Sequence, residues 1–344
     1  MCCCQPSGAP VIYVSLPIHT QPAVVASQLR NFAFFLPQAI VVLHVSPRAK
    51  FEMVELTEAL ARSRCENFLI NPERTPTSWG NILHAHVANI RLIRQLGNAT
   101  KICMHASNDM LVREGLAKRL GTGENFFNRR TVRPGTYWRF GQPALEDECL
   151  SKLRQRFGGA DVIGSQIEGS CYRADLLFEI ADIISGIPRI PPRTLYPREE
   201  VWFSTLANAL GAFPAGCPYI FSEFHRFDRV FWKVLRRINP VIGTKSAASH
   251  FIRRVIEFGM IKTGFHRINT GWVDAIAKND IARLAPYECL SDGNNVWRVF
   301  DRHGLFGVKR VPRRATSPLR NYIDAMARLP EPLSSITISN SGAK

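Results

Sequence analysis

The chain has 344 residues, 46% of them hydrophobic and 21% charged, a composition that excludes an intrinsically disordered protein and can bury a substantial core in one large domain or two ordinary ones. Its formal net charge of +16, from 44 Lys and Arg against 28 Asp and Glu, favours polyanions, anionic lipid surfaces or phosphate-bearing substrates as partners. Apolar runs such as 11–18 and 32–45 are interrupted by Pro17, Pro37 and Gln38 and fall short of the ~20 residues that cross a bilayer, and residues 1–10 lack the pattern of an export signal, so a cytoplasmic location is expected.

From residue 11 to about 120, short apolar runs alternate with helical periods, the pattern of βαβ units around a mostly parallel sheet. Residues 11–16, 39–44, 67–70 and 101–105 read as strands; 24–35, 51–62 and 82–96 read as helices. Neither G-x-G-x-x-G nor G-x-x-x-x-G-K-[ST] occurs, so the common dinucleotide and nucleoside-triphosphate cradles are excluded. Residues 121–160 read as a long irregular excursion. Helices are expected again over 174–184, ended by Gly186 and Pro188, and from Glu199 to Leu210, opened by Pro197 and closed by Gly211. Residues 1–10 and 331–344 are expected to be disordered ends of one domain spanning 11–330, with a basic elaboration over about 220–320.

Nine cysteines, at positions 2, 3, 4, 65, 103, 149, 171, 217 and 289, are odd in number and lack C-x-x-C spacing, which suggests neither a disulfide framework nor a zinc site. His84 and His86 lie two apart on an expected helix, facing different ways, and read as structural. The stretch from Ser222 to Arg237 mixes aromatics with cations at helical spacing: either a packed amphipathic helix or a face for an anionic membrane surface.

Several segments in order are similar to the core-2/I-branching β-1,6-N-acetylglucosaminyltransferase family. Tyr13 to Pro22, with His19, is similar to the family's opening strand and turn. Val42-Leu-His44-Val-Ser46 is similar to its I-H-V-D strand, with serine in place of aspartate, and Trp79-Gly80 resembles its W-G-G. Ser107-Asn-Asp109 resembles S-G-x-D, Glu168-Gly-Ser-Cys-Tyr172 resembles its G-S-x-Y/W segment, and Pro197 to Leu206 resembles D-E-x-x-F-x-T-L, with Glu199 in the aspartate position. Leu305 to Arg310 resembles L-F-A-x-K-F.

The resemblance implies a GT-A, Rossmann-like α/β fold and an inverting glycosyltransferase. That enzyme would move a sugar, N-acetylglucosamine in the first instance, from a UDP-sugar donor to a glycan acceptor without a metal or other cofactor. It implies Glu200 as catalytic base and Lys309 as a diphosphate ligand. Arg310 and Arg313 suit the same anion, because guanidinium groups fork onto phosphate oxygens; a solvated basic tail is the alternative. His19, His44 and Asp109 are nucleotide or donor candidates, and buried structural histidines are the alternative for the first two. Glu168, Tyr172 and Trp79 are acceptor candidates, with an internal salt bridge for Glu168 and a core position for Trp79 as alternatives. A lone Asp109 without a D-x-D partner would hold a divalent cation poorly. UDP-xylose is the alternative donor, since the family includes xylosyltransferases. The rival class is a basic nucleic-acid-binding or polyanion-binding protein without catalysis, but no nucleic-acid-reading module is recognisable and no nucleic-acid partner is expected. The basic C-terminal third is the expected contact with an anionic membrane surface.

Overall fold

The computed structural model describes residues 10–19, 21–136, 138–188, 190–222, 233–234, 237–238, 247–263, 267–292 and 295–327. The two ends expected to be disordered lie outside these residues apart from Pro10, as does most of the stretch from Ser222 to Arg237. The fold is mixed α/β, with a mostly parallel central sheet flanked by helices.

The first half builds that sheet from β1 (Ile12–Ile18), β2 (Ile40–Val45), β3 (Phe68–Ile70) and β4 (Lys101–Met104). Between them run α1 (Pro22–Phe35), α2 (Met53–Ser63) and α3 (Leu83–Leu96). The strand order is β3-β2-β1-β4, all parallel, and β8 (Cys171–Arg173) closes the edge antiparallel to β4. Every residue of β1 is buried because helices cover both faces, which is why its sequence reads as a continuous apolar run. Alternate residues serve different cores. Tyr13, Val42, Ile102 and Met104 pack towards α3, while Ile12, Val14, Leu16, Val41 and Leu43 pack with Leu29, Phe32, Leu56 and Leu60 of α1 and α2. Each such Leu, Ile or Val contributes roughly 1.5–3 kcal/mol by leaving water.

Local signals fix the helix ends. Pro22 opens α1, Glu52 and Glu55 form a capping box on α2, and Gly97, with φ 77°, closes α3. A buried polar lattice pins α3 to the sheet: Asn89 Nδ2 donates to Val42 O (2.9 Å) and Ser15 Oγ (3.1 Å), and His86 Nδ1 lies 2.8 Å from Ser15 Oγ. His86 is therefore structural, and burial lowers its pKa to about 3.

The excursion over 121–160 is more ordered than its composition suggests. After β5 (Met110–Leu111) and α4 (Leu116–Gly121) come β6 (Arg130–Thr131), α5 (Gly141–Leu145) and α6 (Glu148–Gln155). Asp147 caps α6 by accepting from Leu150 N, and Leu150 and Leu153 sink into the same core as Tyr13. β7 (Ile163–Gly164) then pairs antiparallel with β6, and α7 (Ala174–Ser185) and α8 (Glu199–Ala209) add to that core.

The remainder forms a third cluster around Trp272, Phe300 and Ile323. It comprises β9 (Ile220–Phe221), α9 (Ala247–Lys262), α10 (Thr270–Ala277), α11 (Ile281–Leu284), the hairpin β10 (Cys289–Asp292) and β11 (Asn295–Arg298), β12 (Gly307–Val308) and α12 (Pro318–Met326). β12 lies between β5 and β9, so a segment from the far end of the chain runs directly beside the segment that follows β4. Gly307 is required there: a Cβ would meet Met110 O at 2.6 Å and Ile220 Cδ1 at 2.5 Å. Among the described residues no helix is long and apolar enough to cross a membrane.

Candidate functional site

In open α/β sheets the carboxyl ends of parallel strands are where ligands bind, because backbone and loop groups converge there without being spent on the ladder. His19 follows β1, Ser46 follows β2, and His105 to Asp109 follow β4. Against these ends β12 delivers Lys309, Arg310 and Arg313: Lys309 N donates to Phe221 O (2.9 Å) and Val311 N to Asn108 O (2.9 Å). Arg310, between these two bonds, has φ 63°, a left-handed conformation that a residue with a Cβ adopts at a cost of about 1 kcal/mol.

Two carboxylates meet that segment. Glu168 ends the turn before β8, and Gly169, with φ 79°, lets β9 lie against it; a Cβ there would meet Ile220 N at 2.7 Å. Glu168 Oε2 is 2.6 Å from Lys309 Nζ, with both side chains buried. Glu200 sits in the first turn of α8, and its Oε1 lies 4.0 Å from Lys309 Nζ. α8 is held by β7, since Ser165 N donates to Glu200 O (2.7 Å) and Ile163 N to Thr205 Oγ1 (3.0 Å).

The electrostatics of this cluster are uneven. Burial pushes the Glu200 carboxyl up to about 7, against the pull of Lys309; Glu168 adds to the rise, and Arg310 and Arg130 oppose it. Burial thus outweighs the helix dipole that favours the ionised form. Its neighbour Glu199 is pushed further, to about 8, by burial foremost; the Ile82 amide and its own backbone pull it down, and the charges of Glu200 and Glu168 add to the rise. The Lys309 ammonium is held above its ordinary value, because Glu168 and Glu200 together outweigh its burial. Arg313 feels Asp109 and Glu168, and it lowers the pKa of His19, which partial burial lowers first. Glu168, Glu200, Lys309, Arg310, Arg313, Asp109 and His19 therefore share one electrostatic neighbourhood.

Of these, Asp109 lies beneath the surface. It is fully buried, its Oδ2 accepts from Ala106 N (2.9 Å) and stands 3.4 Å from His105 Nδ1, and His105 Nε2 lies 2.6 Å from Tyr219 Oη. Asp109 supports the cluster from below and has no open face for a donor. Trp79 is on the rim, 63% exposed, with its ring centroid 5.5 Å from that of Phe140. Its loop is tied to the base of α8, because Arg198 N donates to Gly80 O (3.3 Å).

Two candidates fall away from the cluster. Tyr172 is fully buried, pairs with Ile102 in the sheet and stacks on Phe127 at 5.3 Å, so it is a core residue and not an acceptor contact. His44 is also buried, and its Nε2 accepts from Thr75 N at 2.9 Å; burial lowers its pKa to about 4. It fastens a loop and is not free to reach a nucleotide. One residue was not foreseen. Arg130, on β6, is sandwiched between Trp138 and Trp297, with its Cζ 4.6 and 4.3 Å from their ring centroids, and its charge reaches Glu200. Nothing in local sequence marks it, because Trp297, one of the two tryptophans, comes from the distant hairpin strand β11.

No family model matches the chain, and no curated protein matches it either.

Proposed function

We propose that this protein is an inverting glycosyltransferase of the GT-A type, resembling the core-2/I-branching enzymes, that moves N-acetylglucosamine from a UDP-sugar to a glycan hydroxyl. The observation that carries this reading is Glu200: a carboxyl with its pKa near 7, at the start of α8, 4.0 Å from a buried lysine and within the field of Arg310 and Arg130. A general base works best when its pKa lies close to the working pH, and this one does.

In the reaction, Glu200 takes the proton of the acceptor hydroxyl as that oxygen bonds to the anomeric carbon. The bond from the anomeric carbon to the diphosphate oxygen breaks, UDP leaves with the electron pair, and the proton passes from Glu200 to water. The negative charge that develops on UDP needs fixed cations. Arg310 and Arg313, both exposed, are suited to the diphosphate, while Lys309 is shared by Glu168 and Glu200. Such a set of cations supports transfer without a metal. Trp79, exposed beside Phe140 and tied to the start of α8, is suited to stacking on the acceptor sugar.

The test is a UDP-release screen with UDP-N-acetylglucosamine, UDP-xylose, UDP-glucose and UDP-galactose in chelator, with wild type beside Glu200→Gln. Release from one donor, lowered roughly 10²–10⁴-fold by the substitution, is the expected result. Release that needs added Mn²⁺ would refute the metal-free part. Silence with every donor, together with no UDP binding by calorimetry, would refute the proposal and favour a polyanion-binding protein. Release from UDP-xylose alone would change the sugar and keep the mechanism.

A further inference from the structure

Helix α9, Ala247–Lys262, presents an unusual outer face. Phe251, Val255 and Phe258 are 68%, 54% and 62% exposed, and they follow one another at i, i+4 and i+7, which stacks them in a single stripe. Arg254 and Lys262 are exposed as well. At about 100° per residue these five positions fall within an arc of roughly 100°. Arg254 lies on one edge of the arc, and Lys262 continues the stripe one turn beyond Phe258, with its Nζ 5.3 Å from the Phe258 ring centroid. The helix is not free to roll this stripe inward, because Ile256, on another face, packs against the third core cluster. Ile238 packs against the same cluster, and close to it in sequence Lys233, Val234 and Arg237 are exposed.

Large apolar side chains standing in water gain nothing for folding. Set in a line and flanked by long basic side chains, they match an interface that is apolar inside and anionic outside. A second copy of this chain is a poor occupant, since each brings a charge of +16. A nucleic acid would engage the cations and leave the two phenylalanines and the valine at the centre of the arc unused. We propose that this face of α9 docks the protein on an anionic membrane surface, with Phe251, Val255 and Phe258 entering the acyl boundary and Arg254 and Lys262 at the level of the lipid phosphates. No residue of the docking face belongs to the Glu200 cluster, and docking does not depend on any catalytic role for it.

The experiment is cosedimentation of the full chain with two sets of vesicles: phosphatidylcholine containing about one-third phosphatidylglycerol, and phosphatidylcholine alone. The wild type should bind the anionic vesicles about tenfold or more tightly than the neutral ones, and lose most of that binding in roughly 0.5 M NaCl. The triple variant F251S/V255S/F258S and the double variant R254E/K262E should each weaken binding about tenfold or more. Their urea midpoints should match the wild type, because the altered side chains are exposed, and this separates lost docking from lost folding. Wild type that ignores anionic vesicles would overturn the proposal, as would a triple variant that binds them as well as wild type. Capture by soluble polyglutamate that needs the three apolar residues, with vesicles ignored, would also overturn it and identify the face as a site for an acidic protein.

Discussion

Replacing Lys309 with methionine removes the buried ammonium that stands between Glu168 and Glu200. Its ammonium stands 2.6 Å from Glu168, with side chains 10% and 9% exposed, and 4.0 Å from Glu200. At an effective dielectric constant of about 20, unit charges that close attract by roughly 6 kcal/mol, and methionine recovers part of this because no ammonium is then desolvated. The expected loss is about 3–5 kcal/mol, the range for breaking a buried pair from one side. Lys309 has its pKa raised by folding, so its stabilisation is present through the neutral range and fades only as pH rises past its own titration. The deficit of K309M should be largest above about pH 7 and shrink towards about pH 5, as the Glu200 carboxyl, raised by burial to about 7, takes up a proton. Urea unfolding of wild type, K309M and E168Q/K309M at several pH values is the assay, and the double variant should recover much of the loss. A K309M deficit under about 1 kcal/mol, or one that is the same at both pH values, would refute the argument that this pair organises the site.

Three further outcomes are expected. Glu199 is raised to about 8, so its contribution is full below its ordinary 4.5 and is lost as pH climbs through 8; E199Q should lack that loss, and melting curves from about pH 5 to 9 should diverge by a few kcal/mol. Under the proposed function, kcat should rise with pH through about 7 as Glu200 ionises, and R130M should move that limb upward by removing a cation that favours the carboxylate; an unmoved limb would exclude Arg130 from the electrostatics of the base. R310G should keep stability within about 1 kcal/mol, because relief of the left-handed backbone offsets the entropy of glycine, while calorimetry should find weaker UDP binding.

The parallel sheet was legible because its strands are continuous apolar runs between helices of strong period, as in 12–18 and 83–96. α5 and α6 were not, because helices of five and eight residues set among Gly, Pro and Arg carry too little periodicity, and what orders them is distant burial at Leu150 and Leu153. Glu200 and Lys309 were named from the resemblance; no spacing rule could have joined them. The salt bridge offered as the alternative for Glu168 is present, and its partner lies 141 residues away. His44 and Tyr172 show the opposite failure, in which a residue at a suggestive position points inward and is consumed by a loop or by the core.

The position of β12 between β5 and β9 also sets a schedule for biosynthesis. A ribosome delivers Glu168, Glu199 and Glu200 well before Lys309, so the acidic half of the cluster is made before its counter-charge. Until that segment arrives, burying those carboxyls would leave them without their cationic partner, which is costly. α12 reinforces the delay, since Arg320 Nη1 donates to Ser27 Oγ across 293 residues. Any product truncated before residue 309 would thus carry the proposed base in an environment unlike the finished one. In this architecture the proposed base receives its buried counter-charge from a segment 109 residues further along the chain.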